Sequence, residues 1–280
     1  MKRIDLHVHS DASDGTCTPS ELVNYALEKG LAAMALTDHD TVSGVKEAMA
    51  AAEGTELCLI PGVELSAEYR GRDIHILGLF LDYESKPFLA YLDEFKATRD
   101  ERNIQMADRL SEHGMPVSMD EMREEYGDAV LTRAHFAKML MKKGYVKSYD
   151  EAFERFLGDG KPCYIPRKRI TPEGAIELIH QAKGLAVLAH PLLYHLGMDE
   201  LRELVKQLKS QGLDGIEAIY SMNSRRDERR MKKLAGEYDL LITGGSDFHG
   251  ATKPYIDLGV GRGGLFVPEE ILTKLKDSVY

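Results

Sequence analysis

Tryptophan is absent from these 280 residues, and cysteine is nearly so. Cys17, Cys58 and Cys163 are odd in number and show no C-x-x-C spacing, which excludes a disulfide framework and a thiolate zinc site and makes a reducing cytoplasm the expected compartment. Long apolar runs are also missing. Met1-Lys2-Arg3 leads directly into Ile4-Asp5, and no span approaches the ~18 apolar residues of a membrane helix, so neither a secretion signal nor a membrane association is expected. Positive charge is in deficit, with 36 Lys and Arg against 46 Asp and Glu and a net charge of −10. Broad binding to duplex DNA, which depends on cations neutralising many phosphates, is therefore not expected, although a local basic groove stays compatible. What is present is 43% apolar residues, enough to build the core of one large α/β domain or of one domain carrying an insertion.

The stretch Asp5-Leu6-His7-Val8-His9-Ser10-Asp11-Ala12-Ser13-Asp14-Gly15-Thr16 begins as a strand, in which side chains two apart share a face. His7 and His9 then point the same way, with Leu6 and Val8 opposite, and the polar loop that follows can bring Asp14 back over them. An H-x-H pair followed by carboxylates suits a cation held by nitrogen and oxygen, such as Zn, Mn or Fe.

Thr18-Pro19-Ser20-Glu21 supplies an N-cap, a proline at the first helical position and a capping-box glutamate, predicting a helix over 19–29 that Gly30 stops. Leu31 to Leu36 predicts a buried strand ending in Thr37-Asp38-His39-Asp40. A helix over 43–53 and a strand over 57–60 follow, with Glu64 just beyond that strand, and residues 73–80 are strand-like around His75. Over 85–165 the period becomes helical: Phe88, Leu89, Leu92 and Phe95 recur at helix spacing, and Ser118-x-x-Glu121 and Ser148-x-x-Glu151 are capping boxes. Inside this insertion Thr132 is placed to cap a helix whose first turn carries Arg133 and His135. Strands over 185–189, 214–220 and 240–243 then end in His190-Pro191, in Ser221 to Arg226, and in Gly244 to His249. Alternating strands and helices imply a parallel sheet, and their number favours a closed or nearly closed barrel, in which sites lie just past the C-terminal strand ends.

His7, His9, Asp14, His39, Glu64, His75, His190, Asp247 and His249 all fall at or beside these strand ends. Each alone has an ordinary explanation as a turn former, a surface carboxylate or a satisfied core histidine. Together they gather six of the ten histidines with three carboxylates at one kind of position, which coincidence explains poorly. His113, His180 and His195 lie in helical or loop contexts and need no special role. Nine ligands exceed the needs of one ion, since a catalytic zinc takes about three protein ligands plus water, so two or three ions are expected with Glu64 as a bridging candidate. Clustered ions activate water and clamp the oxygens of a transferring phosphoryl group, so these residues point to metal-dependent phosphoester hydrolysis.

The segments DLHVHSDASDG (5–15), TDHD (37–40), PGVELS (61–66), AHP (189–191) and SDFHG (246–250), with His75 between, resemble the metal motifs of the polymerase and histidinol phosphatase (PHP) family. The resemblance implies a distorted (β/α)7 barrel over residues 1–84 and 166–280, with a helical insertion domain over 85–165 that covers the active site as a lid. It also implies up to three divalent ions: one on His7, His9, Glu64 and Asp247, a second on Glu64, His75 and His190, and a third on Asp14, His39 and His249. Asp40 has no place in that scheme and is read as an outer partner orienting a histidine. Manganese, iron and zinc all suit such ligands.

The insertion is similar to that of the family's stand-alone nucleotide phosphatases, which act on nucleoside 3′,5′-bisphosphates and in some cases on the 5′ ends of short RNA. Arg133 and His135 are then expected to hold a phosphate or base, and Asn223, Arg225 and Arg226 a second phosphate, for which the arginine fork is well shaped. An ordinary solvated face over 225–233 is the competing explanation. The expected reaction is attack of metal-bound hydroxide on a terminal phosphate monoester of a small nucleotide, with His190 or His249 protonating the leaving oxygen if not fully committed to a metal. Three alternatives stand beside it: a 5′-to-3′ exoribonuclease on short 5′-phosphorylated, single-stranded RNA, tracked by Arg133, Arg225 and Arg167-Lys168-Arg169; a histidinol-phosphate phosphatase; and a non-catalytic metal-binding accessory module.

Overall fold

The computed structural model describes residues 2–166 and 170–279. It divides into two compact units, Met1–Leu89 with Arg169–Tyr280, and Ala90–Lys168.

The larger unit holds seven strands, β1 (Arg3–Val8), β2 (Leu31–Leu36), β3 (Cys58–Tyr69), β4 (Arg72–Leu79), β5 (Leu185–Leu188), β6 (Gly215–Tyr220) and β7 (Leu241–Gly245), which neighbour one another in chain order. Helices α1 (Pro19–Glu28) and α2 (Val45–Ala52) link the first three strands, and α3 (Lys86–Glu112) leads out of β4. The start of α1 is the one read from the sequence: Glu21 N–H donates to Thr18 Oγ1 at 3.2 Å while Glu21 Oε2 accepts from Thr18 N at 2.8 Å. Beyond β7, Asp247 N–H donates to His7 O at 2.9 Å and His9 N–H to Phe248 O at 3.0 Å, so the last strand's extension meets the end of the first and nearly closes the barrel. That approach needs Gly245, because a Cβ there would lie 2.4 Å from His7 Cβ.

Strand–helix alternation predicted a parallel sheet, but the sheet is mixed. β4 runs antiparallel to both β3 and β5. The cause is the length of β3: it pairs with β2 up to Pro61, changes partner at Gly62, and continues to Tyr69. Arg70 at φ 51° and Gly71 at φ 76° then form a two-residue turn that folds the chain straight back. Glu64 therefore stands inside a strand rather than beyond one. Because β4 is reversed, its beginning, with His75 opposite Ser66, lies beside the far half of β3 that carries Glu64.

One apolar cluster joins Ile4 and Leu6 of β1 to Ala33, Ala35, Leu77, Val187 and Ile219 of other strands and to Leu272 and Leu275 of the C-terminal helix. Strand alternation thus gives β1 a core face through Leu6 and a polar face through His7. Full burial of one such leucine contributes about 1.5–3 kcal/mol.

The smaller unit is helical, and α3, which begins at Lys86, runs from the larger unit into it. α4 (Met119–Tyr126), α5 (Arg133–Lys142) and α6 (Tyr149–Ala152) pack around Met106, Leu110, Met122, Phe136, Leu140 and Leu157. Ser118 and Glu121 form the expected reciprocal cap, whereas Glu151 Oε2 accepts from Lys147 N instead of Ser148 N. The remaining helices, α7 (Pro172–Gln181), α8 (Met198–Ser210), α9 (Arg225–Glu237) and α10 (Glu270–Val279), belong to the larger unit. Among the described residues no helix is long and apolar enough to cross a membrane, and the three cysteines are free thiols.

Candidate metal centre

All nine donors read from the sequence converge in the larger unit. His7 leaves the end of β1, His9 follows it, His39 follows β2, Glu64 lies in β3, His75 early in β4, His190 after β5, and Asp247 and His249 after β7. Asp14 returns to them because Asp38 gathers the intervening loop: its carboxylate accepts from Ser10 N at 2.8 Å, Ser10 Oγ at 2.6 Å and Ser13 Oγ at 2.5 Å.

Glu64 is the hub. Its Oε1 lies 2.8 Å from His75 Nδ1 and 2.9 Å from His190 Nε2, and its Oε2 lies 3.3 Å from His9 Nε2, 3.5 Å from His7 Nε2 and 3.0 Å from His39 Nδ1. Asp247 Oδ1 completes the group on the Oε2 side, 3.7 Å from His7 Nε2 and 3.4 Å from His9 Nε2. A tetrahedral ion with bonds of about 2.0–2.1 Å has ligand-to-ligand edges near 3.3–3.4 Å, the spacing found here. Asp14, His39 and His249 form a further group with His9, in which His249 Nε2 lies 3.2 Å from Asp14 Oδ1. His39 faces both ways, with Nδ1 toward Glu64 and Nε2 3.9 Å from Asp14 Oδ2.

Beyond the hydrogen bonds of His75 and His190 to Glu64, several of these contacts are poor hydrogen bonds and suit a cation cage. His7 Nε2 and His9 Nε2 face each other at 3.1 Å, and the buried Nδ1 atoms of His9 and His39 make no hydrogen bond. Each such buried atom costs about 1–3 kcal/mol unless something satisfies it, and a divalent ion accepts lone pairs from several at once. The residues present fit a cluster of divalent ions.

The electrostatics prepare the ligands. Burial opposes ionisation of Glu64, but His75, His39, His7 and a hydrogen bond from His190 hold it well below the usual carboxylate range. Burial likewise opposes Asp14 and Asp247, which His39 and His249, and Lys253 and His249, respectively pull well down. Burial, reinforced by His249, pushes His9 well below the ordinary imidazole value, and burial brings His39 to about 4 despite Glu64 and Asp14. Anionic carboxylates and neutral imidazoles are the protonation states that bind metal. At His7 and His75 burial is outweighed, by Glu217 and by Glu64 respectively, and both imidazoles are raised, so an incoming ion displaces a proton there.

Outer partners orient the donors. Glu217, wholly buried, accepts from His7 Nδ1 at 3.0 Å, which turns His7 Nε2 toward the centre. His249 Nδ1 donates to Asp247 O at 2.9 Å and leaves its Nε2 facing Asp14. Asp247 Oδ2 is held by Tyr220 Oη at 2.8 Å and Lys253 Nζ at 2.7 Å, so one oxygen alone is offered to the centre. His190 at φ 24°, Asp40 at φ 54° and Asp247 at φ 58° occupy the left-handed region, a strain that gathers at functional sites. Sequence reasoning passed over Glu217, Tyr220 and Lys253. A signal existed for Glu217, a lone carboxylate in the apolar run of β6; none marks Lys253, in a loop without periodicity.

The other candidate residues are arranged differently. The Asp40 carboxylate accepts from Ser66 N at 2.8 Å and Ser66 Oγ at 3.0 Å, bracing β3 beside Glu64. His135 is buried as a helix cap, its Nδ1 accepting from Thr132 N at 2.9 Å beneath the Tyr126 ring. Arg133 donates to Asp159 Oδ1 at 2.7 Å and lies over the Tyr164 ring. Asn223 donates to Ala218 O at 3.2 Å, tying its own loop, and Arg225 and Arg226 are exposed in the first turn of α9. The run Arg167-Lys168-Arg169 lies outside the described residues.

A nearly closed barrel that gathers buried imidazoles and carboxylates around a shared glutamate defines a class, the metal-dependent hydrolases of phosphoric esters. The PHP domain matches residues 5–158, and the chain belongs to the PHP family. A 5′-3′ exoribonuclease of Haemophilus influenzae is 40% identical over 249 residues, covering 89% of this chain and 90% of that protein. A 3′,5′-nucleoside bisphosphate phosphatase of Chromobacterium violaceum is 35% identical over 260 residues, covering 92% of this chain and 91% of that protein. Among solved structures, a protein of Bifidobacterium adolescentis assigned as a metal-dependent phosphoesterase superposes with a TM-score of 0.87 at 30% identity, covering 98% of this chain and 95% of that chain.

Proposed function

We propose that this protein hydrolyses the 3′-phosphate ester of a nucleotide that carries a 5′-phosphate, with a nucleoside 3′,5′-bisphosphate as the small substrate. The observation that carries the reading is Glu64, whose two oxygens face two different sets of imidazoles. In this reading His7, His9, Glu64 and Asp247 hold one ion, Glu64, His75 and His190 a second, and Asp14, His39 and His249 a third. Bound there, divalent ions such as Mn, Fe or Zn supply Lewis-acid charge for the transferring phosphoryl group and an acidified water.

The chain's own residues do the rest. Glu64 fixes the spacing of the two sets, and Tyr220 and Lys253 hold Asp247 so that a single oxygen turns inward. His190 Nε2 and His249 Nε2 face Glu64 and Asp14 as ligands do. A histidine so committed cannot also give up a proton, so both are assigned to holding metal rather than to protonating the leaving oxygen.

A second reading, an exoribonuclease acting from the 5′ end of short RNA, follows from the same bond. A 5′-phosphorylated strand presents at its first nucleotide a phosphate on the 3′ oxygen, a diester there and a monoester in the bisphosphate. The relatives named for the two activities match the chain over comparable spans, which supports one linkage in two contexts. The net charge of −10 favours short substrates over long ones. Manganese-loaded protein is to be incubated separately with adenosine 3′,5′-bisphosphate and a 5′-phosphorylated tetranucleotide. AMP with inorganic phosphate from the first, and 5′-mononucleotides from the second, are expected; no hydrolysis of either defeats the proposal.

A further inference from the structure

β6 buries a carboxylate that belongs to none of the metal-holding groups. Glu217 has no exposed surface, and a buried carboxylate is tolerated only where its oxygens are fully engaged. Oε1 accepts from His7 Nδ1 at 3.0 Å, and Oε2 accepts from the backbone N–H of His190 at 2.7 Å. The two partners are far apart in the chain, and their rings stack with centroids 5.6 Å apart.

We propose that Glu217 is a positioning residue that couples two metal ions, by setting the tautomer of a ligand to one and the backbone of a ligand to the other. The inference rests on the metal-holding roles proposed above. With Nδ1 donating to Glu217, His7 can present only Nε2 toward His9, Glu64 and Asp247, and an imidazole hydrogen-bonded to a carboxylate is a better metal donor. On the other side, His190 sits at φ 24°, a conformation that L residues rarely keep unless something outside holds it. The bond from its N–H to Glu217 is that hold, and it aims Nε2 at Glu64 Oε1. Glu64 thus joins the two groups from within and Glu217 braces them from behind. The third group, Asp14, His39 and His249, has no described contact with Glu217.

Glu217→Gln tests this, because both partners are donors: a glutamine keeps one bond and sets an amide N–H against the other. Metal content after dialysis, and the visible absorption of the cobalt-substituted protein, are to be compared with the wild type. The expected result is a ten- to hundredfold loss of affinity for two ions with the third retained. Loss of a single ion, or no loss, overturns the coupling. Should the variant not fold, as far-ultraviolet circular dichroism of the metal-free protein would reveal, nitrogen-15 histidine spectra of the zinc-loaded wild type decide instead. They are expected to show His7 protonated at Nδ1, and protonation at Nε2 overturns the proposal. A wild type that takes up no divalent metal would defeat the metal reading itself, whereas a wild type that loads and a Glu217→Gln that loads equally would defeat this inference alone.

Discussion

Lys253 Nζ lies 2.7 Å from Asp247 Oδ2, a partly exposed lysine placed against the one oxygen of buried Asp247 that faces away from His7 and His9. Burial disfavours the Lys253 cation, but Asp247 outweighs it and raises its pKa, so the pair stays charged. Lys253→Met removes the charge and leaves Tyr220 as the sole holder of that oxygen. Turnover with the bisphosphate should fall about ten- to a hundredfold, with weaker metal binding, as for other outer partners of metal ligands. Tyr220→Phe, which leaves the charge in place, should cost less. Unchanged kinetics in Lys253→Met would show that Asp247 needs no such brace.

His9 and Asp247 each meet several donors of the cluster. His9→Ala or Asp247→Ala is expected to abolish phosphate release while leaving the circular dichroism spectrum unchanged. Full turnover in either variant would remove that residue from the centre.

Uncompensated ring nitrogens at His9 and His39 weigh on the metal-free fold. Divalent metal should therefore raise the melting temperature, by linkage amounting to about 2.7 kcal/mol at a hundred times the dissociation constant. Chelation should reverse the rise and stop turnover together. Melting that is indifferent to metal would argue against a cation in this cage.

Leu6 stands one residue from His7 and faces the opposite way, fully buried among Ala33, Leu77 and Leu272. Leu6→Ala should destabilise the protein by about 2–5 kcal/mol, the range for a buried leucine truncated to alanine. Urea denaturation measures it, and a loss below about 1 kcal/mol would mean that the core face of β1 has been misassigned.

Away from the centre, His180 Nε2 lies 2.8 Å from Asp214 Oδ2, and that hydrogen bond raises the His180 pKa against the effect of burial. A raised folded pKa means that the protonated imidazole favours the folded state. Its contribution is complete below the unfolded value, near 6.5, and disappears as pH rises through the folded value. Partial exposure of both groups keeps the effect small. The melting difference between wild type and His180→Phe should be larger at pH 5.5 than at pH 8.5; the reverse order would contradict the assigned sign.

Much of the centre was legible because period-two alternation is local: His7 and His9 share a face for the same reason that Leu6 and Val8 share the other. The helical insertion was legible from capping and spacing, although His135, read as a ligand contact, closes its own helix turn through Thr132. The direction of β4 was not legible, since it depends on β3 exchanging one partner for another at Pro61 and Gly62, and nothing in the composition of Cys58 to Tyr69 marks that exchange. Glu217 and Lys253 were missed for a related reason. The role of Glu217 depends on His7, 210 residues away along the chain, and comes into being only when the barrel closes, whereas Lys253 is 6 residues from Asp247 in a loop with no periodicity to mark it.

The central claim is that Glu64 bridges ions held by the surrounding histidines and aspartates. Anomalous diffraction from a crystal of the manganese-loaded protein tests it most directly. The account predicts one peak among His7, His9, Glu64 and Asp247 and another among Glu64, His75 and His190, with Glu64 touching both. Manganese bound elsewhere, with Glu64 touching none, would contradict it.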